Sequence, residues 1–149
     1  MKLFQIEEPD GSAADPDAPG AAIGIDASGA LAEVAFAVGG NAVILADRDG
    51  FERDLPVPAA TAPVEEWQAL FEGARLRAER ALAQPVTHAV VALAAAPETG
   101  DAGRLLAACM GAGLELLHAV GRGDLDQGEL PALSAAIMAE ELAPVPKAP

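Results

Sequence analysis

Between Ala22 and Pro58, short apolar stretches alternate with small or polar punctuation: "AIGIDA", a break at Ser28-Gly29-Ala30, "LAEVAFAV", a break at Gly39-Gly40-Asn41, "AVILAD", a break near Asp49-Gly50, and "FERDLPV". Short runs of this kind bounded by turn residues read as strands, and Gly-Gly and Asp-Gly supply the positive φ angles that tight hairpins need. The pattern predicts three or four antiparallel strands in a meander. The "DRDG" at 47–50 lacks the further oxygen ligands and the closing glutamate of a calcium loop, so it reads as a hairpin tip.

The period then changes. Val64, Trp67, Leu70, Phe71, Ala74, Ala78, Ala81 and Leu82 recur at three- and four-residue intervals, which predicts a helix from 64 to about Ala83 with one apolar stripe laid on a sheet. Thr61 is placed to cap it, Pro63 falls in its first turn, and Glu65 and Glu66 stand at the positive end of its dipole. Trp67 on that stripe is a core residue or a partner contact rather than a ligand platform. "VTHAVVAL" reads as a strand buried on both faces, with His88 near its start a strand-end residue and not a catalyst. The polar loop "AAPETGD" leads to a helix, "AGRLLAACMGA", with Gly113 just past its end where a left-handed cap is needed, and "LELLHAV" makes the next strand. Pro131 opens a last helix, "PALSAAIMAEEL".

Meander, helix, strand, helix, strand, helix is the order of a mixed α/β sheet whose later strands join by right-handed crossovers. One domain over residues 21–143 accounts for all of it. Residues 1–20 carry five acids, three prolines and two glycines and read as a disordered acidic leader, with 144–149 as a disordered tail.

Composition narrows the partners. Apolar residues make up 52% of the 149, yet aromatics are 3% with no tyrosine, so Val, Leu, Ile and Ala must build a closely packed core. A formal charge of −14 repels nucleic-acid phosphates and anionic membranes alike, which sets both aside as partners. Arg75, Arg77 and Arg80, interleaved with Glu72 and Glu79 at helical spacing, read as a solvated face. The single cysteine, Cys109, rules out an intramolecular disulfide and a thiolate zinc cage and reads as a small apolar filler in a helix. With no apolar targeting segment in "MKLFQIEEPDG", a cytoplasmic location is the default expectation.

Two blocks, "IGIDASGALAEVAFAVGGNAVILADRDG" and "VTHAVVALAAAPETGDAGRLLAACMGAGLELLHAVGR", resemble the N-terminal lobe of the actin-like ATPase superfamily, most nearly that of the seventy-kilodalton heat-shock chaperones. The first block is similar to the first phosphate loop and its hairpin. In the other block, "AGLELL" is similar to a family strand, and Arg104 falls where the family's helix begins with an arginine. The likeness spans about residues 22 to 142. It implies a ribonuclease H-like lobe with a mixed five-stranded sheet in the order 3-2-1-4-5, flanked by helices. It also implies that Asp26, Ser28 and Gly29 would face a phosphate with its magnesium.

The departures from the family are large. Its phosphate loop runs aspartate, any residue, glycine, threonine, threonine, whereas here Asp26 is followed by Ala27, Ser28, Gly29, Ala30 and Leu31. The family's inserted subdomain shrinks to "DLPVPAATAP", no lysine stands between Lys2 and Lys147, and the likeness extends over one lobe only. Glu129, near Pro131, is the nearest match to the family's catalytic glutamate. The turn at Asp26 is thus either a phosphate contact or a plain chain reversal.

Two functions emerge as expectations. The first is a non-catalytic protein-interaction module for assembly or regulation, derived from a chaperone-type lobe. It would use no cofactor, and it would cover an exposed apolar face with a protein partner or with a second copy in a homodimer. The alternative is the ATP-binding half of a split or self-associating ATPase, with ATP and Mg²⁺ as its ligands. A nuclease of the ribonuclease H-like class would cluster carboxylates on metal, but this acidic chain would repel its substrate.

Overall fold

The computed structural model describes residues 20–46 and 54–144. The strands are β1 (Ala21–Ala27), β2 (Glu33–Val38), β3 (Asn41–Ile44), β4 (Val86–Leu93) and β5 (Glu115–Gly121). The helices are α1 (Val64–Leu82), α2 (Thr99–Gly111) and α3 (Pro131–Leu142). One open sheet takes the order β3-β2-β1-β4-β5. The β1–β2 and β2–β3 pairs are antiparallel, and the β1–β4 and β4–β5 pairs are parallel. This is the mixed α/β sheet that the order of elements predicts, in the strand order that the resemblance implies. The leader through residue 19, the turn near Asp49-Gly50 with "DRDG", residues Phe51–Arg53 and the tail from 145 lie outside the described residues.

Among the described residues the meander has three strands. The segment from Asp54 to Pro58 adds only a single bridge, Leu31 opposite Pro56, flanked by two hydrogen bonds in which Ala32 N donates to Leu55 O (2.8 Å) and Val57 N to Ala30 O (3.0 Å). Pro56 and Pro58 have no amide to donate, so the ladder stops there. The β2–β3 hairpin turns at Gly39 and Gly40, whose φ angles of 61° and 84° are those of a two-residue turn only glycine adopts without strain. Both glycine amides donate to the Glu140 carboxylate on α3, at 2.6 and 3.0 Å, which ties the hairpin tip to the opposite layer.

Alternation in the strands divides the core between two faces. On one, Ile23, Ile25, Val34 and Val91 meet Leu70 and Phe71 of α1 and Leu105 and Cys109 of α2. On the other, Ala22, Ala35, Ala37 and Ala92 meet Ala132, Ala135, Ala136 and Ala139 of α3. β4 is buried on both faces, as its continuous apolar run predicts. His88, its third residue, is buried with Nδ1 2.8 Å from Thr87 Oγ1 and Nε2 3.4 Å from Glu115 Oε1, a contact between neighbouring strands.

Two local expectations need correction. Thr61 does not cap α1, because the N-cap position belongs to Pro63, held extended at φ −61° and ψ 157°, and Thr61 lies too far upstream. Arg75 is not simply solvated. Its Nε donates to Ala112 O (2.7 Å), a carbonyl left open by the end of α2, while Nη1 pairs with Glu79 at 3.0 Å. The other oxygen of Glu79 accepts the Val86 amide at 2.9 Å, so this pair joins α1, α2 and the start of β4.

Gly113, at φ 85°, occupies the left-handed position expected after α2, and Leu114 N returns to Cys109 O at 2.8 Å. Cys109 itself is fully buried between α2 and the sheet, and that burial pushes its thiol from an ordinary value of 9.0 up to about 12, which suits a filler and not a nucleophile.

Candidate functional site

β1 and β4 are adjacent and parallel, so their carboxyl ends open side by side, and the chain leaves them in different directions. Crevices of this kind are where open α/β sheets hold ligands. Here the crevice is a cleft of about 420 Å³. Its floor is Ala27 and Leu93, one wall is the loop Ala94–Pro97 with the first turns of α2, and the other is the strip around Val57, Pro58 and Ala60 with Trp67.

Local chemistry explains each wall. Pro97 precedes α2 and keeps the chain extended up to Glu98, where the helix starts. The strip at 57–60 is held from two sides, by the Ala30–Val57 hydrogen bond and by Trp67 Nε1, which donates to Ala59 O at 3.0 Å. Trp67 therefore serves the core with its ring, tilted 40° against Phe71 at 5.8 Å, and fixes the cleft wall with its polar edge.

Two of the three residues singled out from the sequence, Ser28 and Gly29, line this cleft, and Asp26 stands directly behind them on β1. Asp26 Oδ1 accepts hydrogen bonds from both Ser28 N (2.9 Å) and Ser28 Oγ (2.5 Å). The turn is closed on itself at Ser28, whose amide and hydroxyl already meet a carboxylate. An anion meeting the Ser28 donors would have to displace Asp26, anion for anion. Gly29 has no positive φ and open space around its Cα, so the turn would accept a side chain there.

Arg104, matched above to the family's helix arginine, also lines the cleft. Its Nη2 pairs with Asp101 one turn back, and its Nη1 lies 3.5 Å from Ala62 O. Glu98 and Asp101 share the rim, so the charged groups facing the cleft are two carboxylates and one already paired guanidinium. Glu129 does not line it; its carboxylate accepts from Ser134 Oγ at 3.4 Å at the start of α3, on the other side of the sheet. Among the described residues, no three of His, Cys, Asp or Glu group closely enough to hold a metal ion, and no helix is long and apolar enough to cross a membrane.

Sequence reasoning finds the turn and the arginine but not the cleft. Its apolar walls, Val57, Pro58 and Leu105, come from three separate places in the fold. The available signal was the parallel β1–β4 adjacency, whose carboxyl ends mark such a site in advance. No protein-family model matches the chain, and no curated protein matches it.

Proposed function

We propose that the chain is a non-catalytic protein-interaction module, for assembly or regulation, built on a single ribonuclease H-like lobe of actin-like ATPase type. The strand order supports the topological part of this reading. The observation that carries the functional part is the self-closure of the Asp26 turn. The Ser28 donors are spent within the turn, Arg104 is paired with Asp101, and the cleft that remains has apolar walls and Glu98 and Asp101 on its rim. Such a surface suits contact with polypeptide better than with a polyphosphate. Val38, Val43 and Ile44, exposed at the β2–β3 edge, add apolar surface that a protein partner or a second copy would cover.

The alternative, the ATP-binding half of a split ATPase, draws on one observation: Arg104 and the opening turn of α2 stand where open α/β sheets receive phosphates. One experiment separates the two. Millimolar MgATP is expected to leave the melting temperature unchanged. A rise of several degrees that Asp26→Ala abolishes would overturn the module reading in favour of the split ATPase.

A further inference from the structure

Among the described residues, acids are concentrated at one end of the sheet. β1, β4 and β5 all end at the cleft end of the sheet, and α1, α2 and α3 all begin there. That end therefore collects Glu65 and Glu66 of α1, Glu98 and Asp101 of α2, and Asp124 and Asp126 after β5, against Arg104 and Arg122. The arginines of α1, Arg75, Arg77 and Arg80, stand in its later half, toward the other end, where Glu79, Glu115, Glu140 and Glu141 also lie. An apolar-walled cleft with Glu98 and Asp101 on its rim thus opens at an acidic end, and such a site selects a ligand that brings an apolar group and positive charge together.

Resting on the module reading above, we infer that the cleft receives an apolar side chain from a basic segment of a partner protein, with lysines or arginines beside that side chain meeting Glu98 and the carboxylates around it. About 420 Å³ is room for a few side chains of an extended segment, not for a folded element. Trp67 Nε1 holds the wall the ligand would touch, so a bound side chain alters the surroundings of the indole.

The chain has one tryptophan and no tyrosine, so its intrinsic emission reports on this wall alone. The test titrates the full chain with an acetylated, amidated peptide of two leucines flanked by lysines, with the same peptide carrying glutamates in place of lysines, and with MgATP. The lysine peptide is expected to shift Trp67 emission saturably, with affinity that falls as salt rises, and the glutamate peptide to leave it unchanged. Glu98→Lys alters an exposed side chain that makes no capping bond to α2, and is expected to weaken binding about fivefold. Ala60→Phe fills the cleft from its exposed rim and is expected to weaken binding about tenfold or more. Circular dichroism confirms that both variants fold.

No saturable shift with the lysine peptide, or equal shifts with both peptides, would overturn the inference while leaving the module reading in place. A shift with MgATP that Asp26→Ala removes would overturn both.

Discussion

The two faces of this sheet solve the packing problem in opposite ways. Beneath α1 and α2 the contacts are made by Phe71, Trp67, Leu70, Ile23, Ile25 and Leu114, large side chains that fill space between well-separated backbones. Beneath α3 they are made mostly by alanines, four on the helix and four more on β1, β2 and β4, with Val90, Val120 and Leu125 filling the side toward β5. There the backbones nearly touch: a Cβ at Gly24 would overlap the Ala136 amide nitrogen and sit 2.6 Å from the Ala135 carbonyl carbon. One face is held by volume, the other by the absence of it. The difference teaches that opposite substitutions should be damaging on the two faces, since a filled core suffers from cavities and a close backbone contact suffers from added atoms.

The largest expected effect is on the close face. Gly24→Val drives a branched side chain into the backbone of α3, with no flexible neighbour to yield, and is expected to cost more than about 4 kcal/mol. Loss of the cooperative thermal transition checks this, and an unchanged transition would show that α3 can lift off without penalty. On the filled face, Phe71→Ala removes a fully buried ring and is expected to cost about 3–5 kcal/mol in urea titration. Gly24→Val and Phe71→Ala exchange size in opposite senses, so equal tolerance of either would dissolve the contrast.

Smaller effects sharpen it. The buried Cys109 thiol keeps its proton to higher pH than the same thiol in the unfolded chain, so between pH 9.0 and about 12 unfolding releases a proton. Stability is therefore retained in full below pH 9.0 and falls as pH rises through that window, by up to about 1.4 kcal/mol per unit. No tyrosine and only Lys2 and Lys147 compete there, and the difference between the native chain and Cys109→Ala in urea titrations isolates the effect. The smallest effect belongs to the tie between the faces' outer parts. Glu140→Ala frees the amides of Gly39 and Gly40 and is expected to cost about 1 kcal/mol, with faster amide exchange confined to the β2–β3 tip.

Much of this architecture is legible residue by residue. β4 and α3 match their expected bounds because each carries a strong local signal, a doubly buried apolar run in one and Pro131 in the first helical position in the other. α2 begins at Thr99, three residues before the apolar pattern starts, because a first turn facing a loop has no need of apolar residues and so leaves no periodic trace. Thr61 has the side chain of a cap, but the proline two residues later takes the position. Arg75 has the spacing of a solvated charge, but its acceptor, Ala112 O, lies 37 residues away. The candidate site is half legible: Ser28, Gly29 and Arg104 stand out singly, while Trp67, Val57 and Glu98 join them only through folding.

By itself, the sequence determined the order of the elements, the alternation that assigns side chains to two faces, and the excess of acids, since each depends on neighbours a few positions apart. Tertiary structure alone decided that Asp26 would spend its carboxylate on Ser28, that Gly24 would lie against α3, and that the acidic starts of α1 and α2 would meet at the cleft end of the sheet. These depend on the path the folded backbone takes and on distances between segments far apart in the chain, which packing sets and no local pattern encodes.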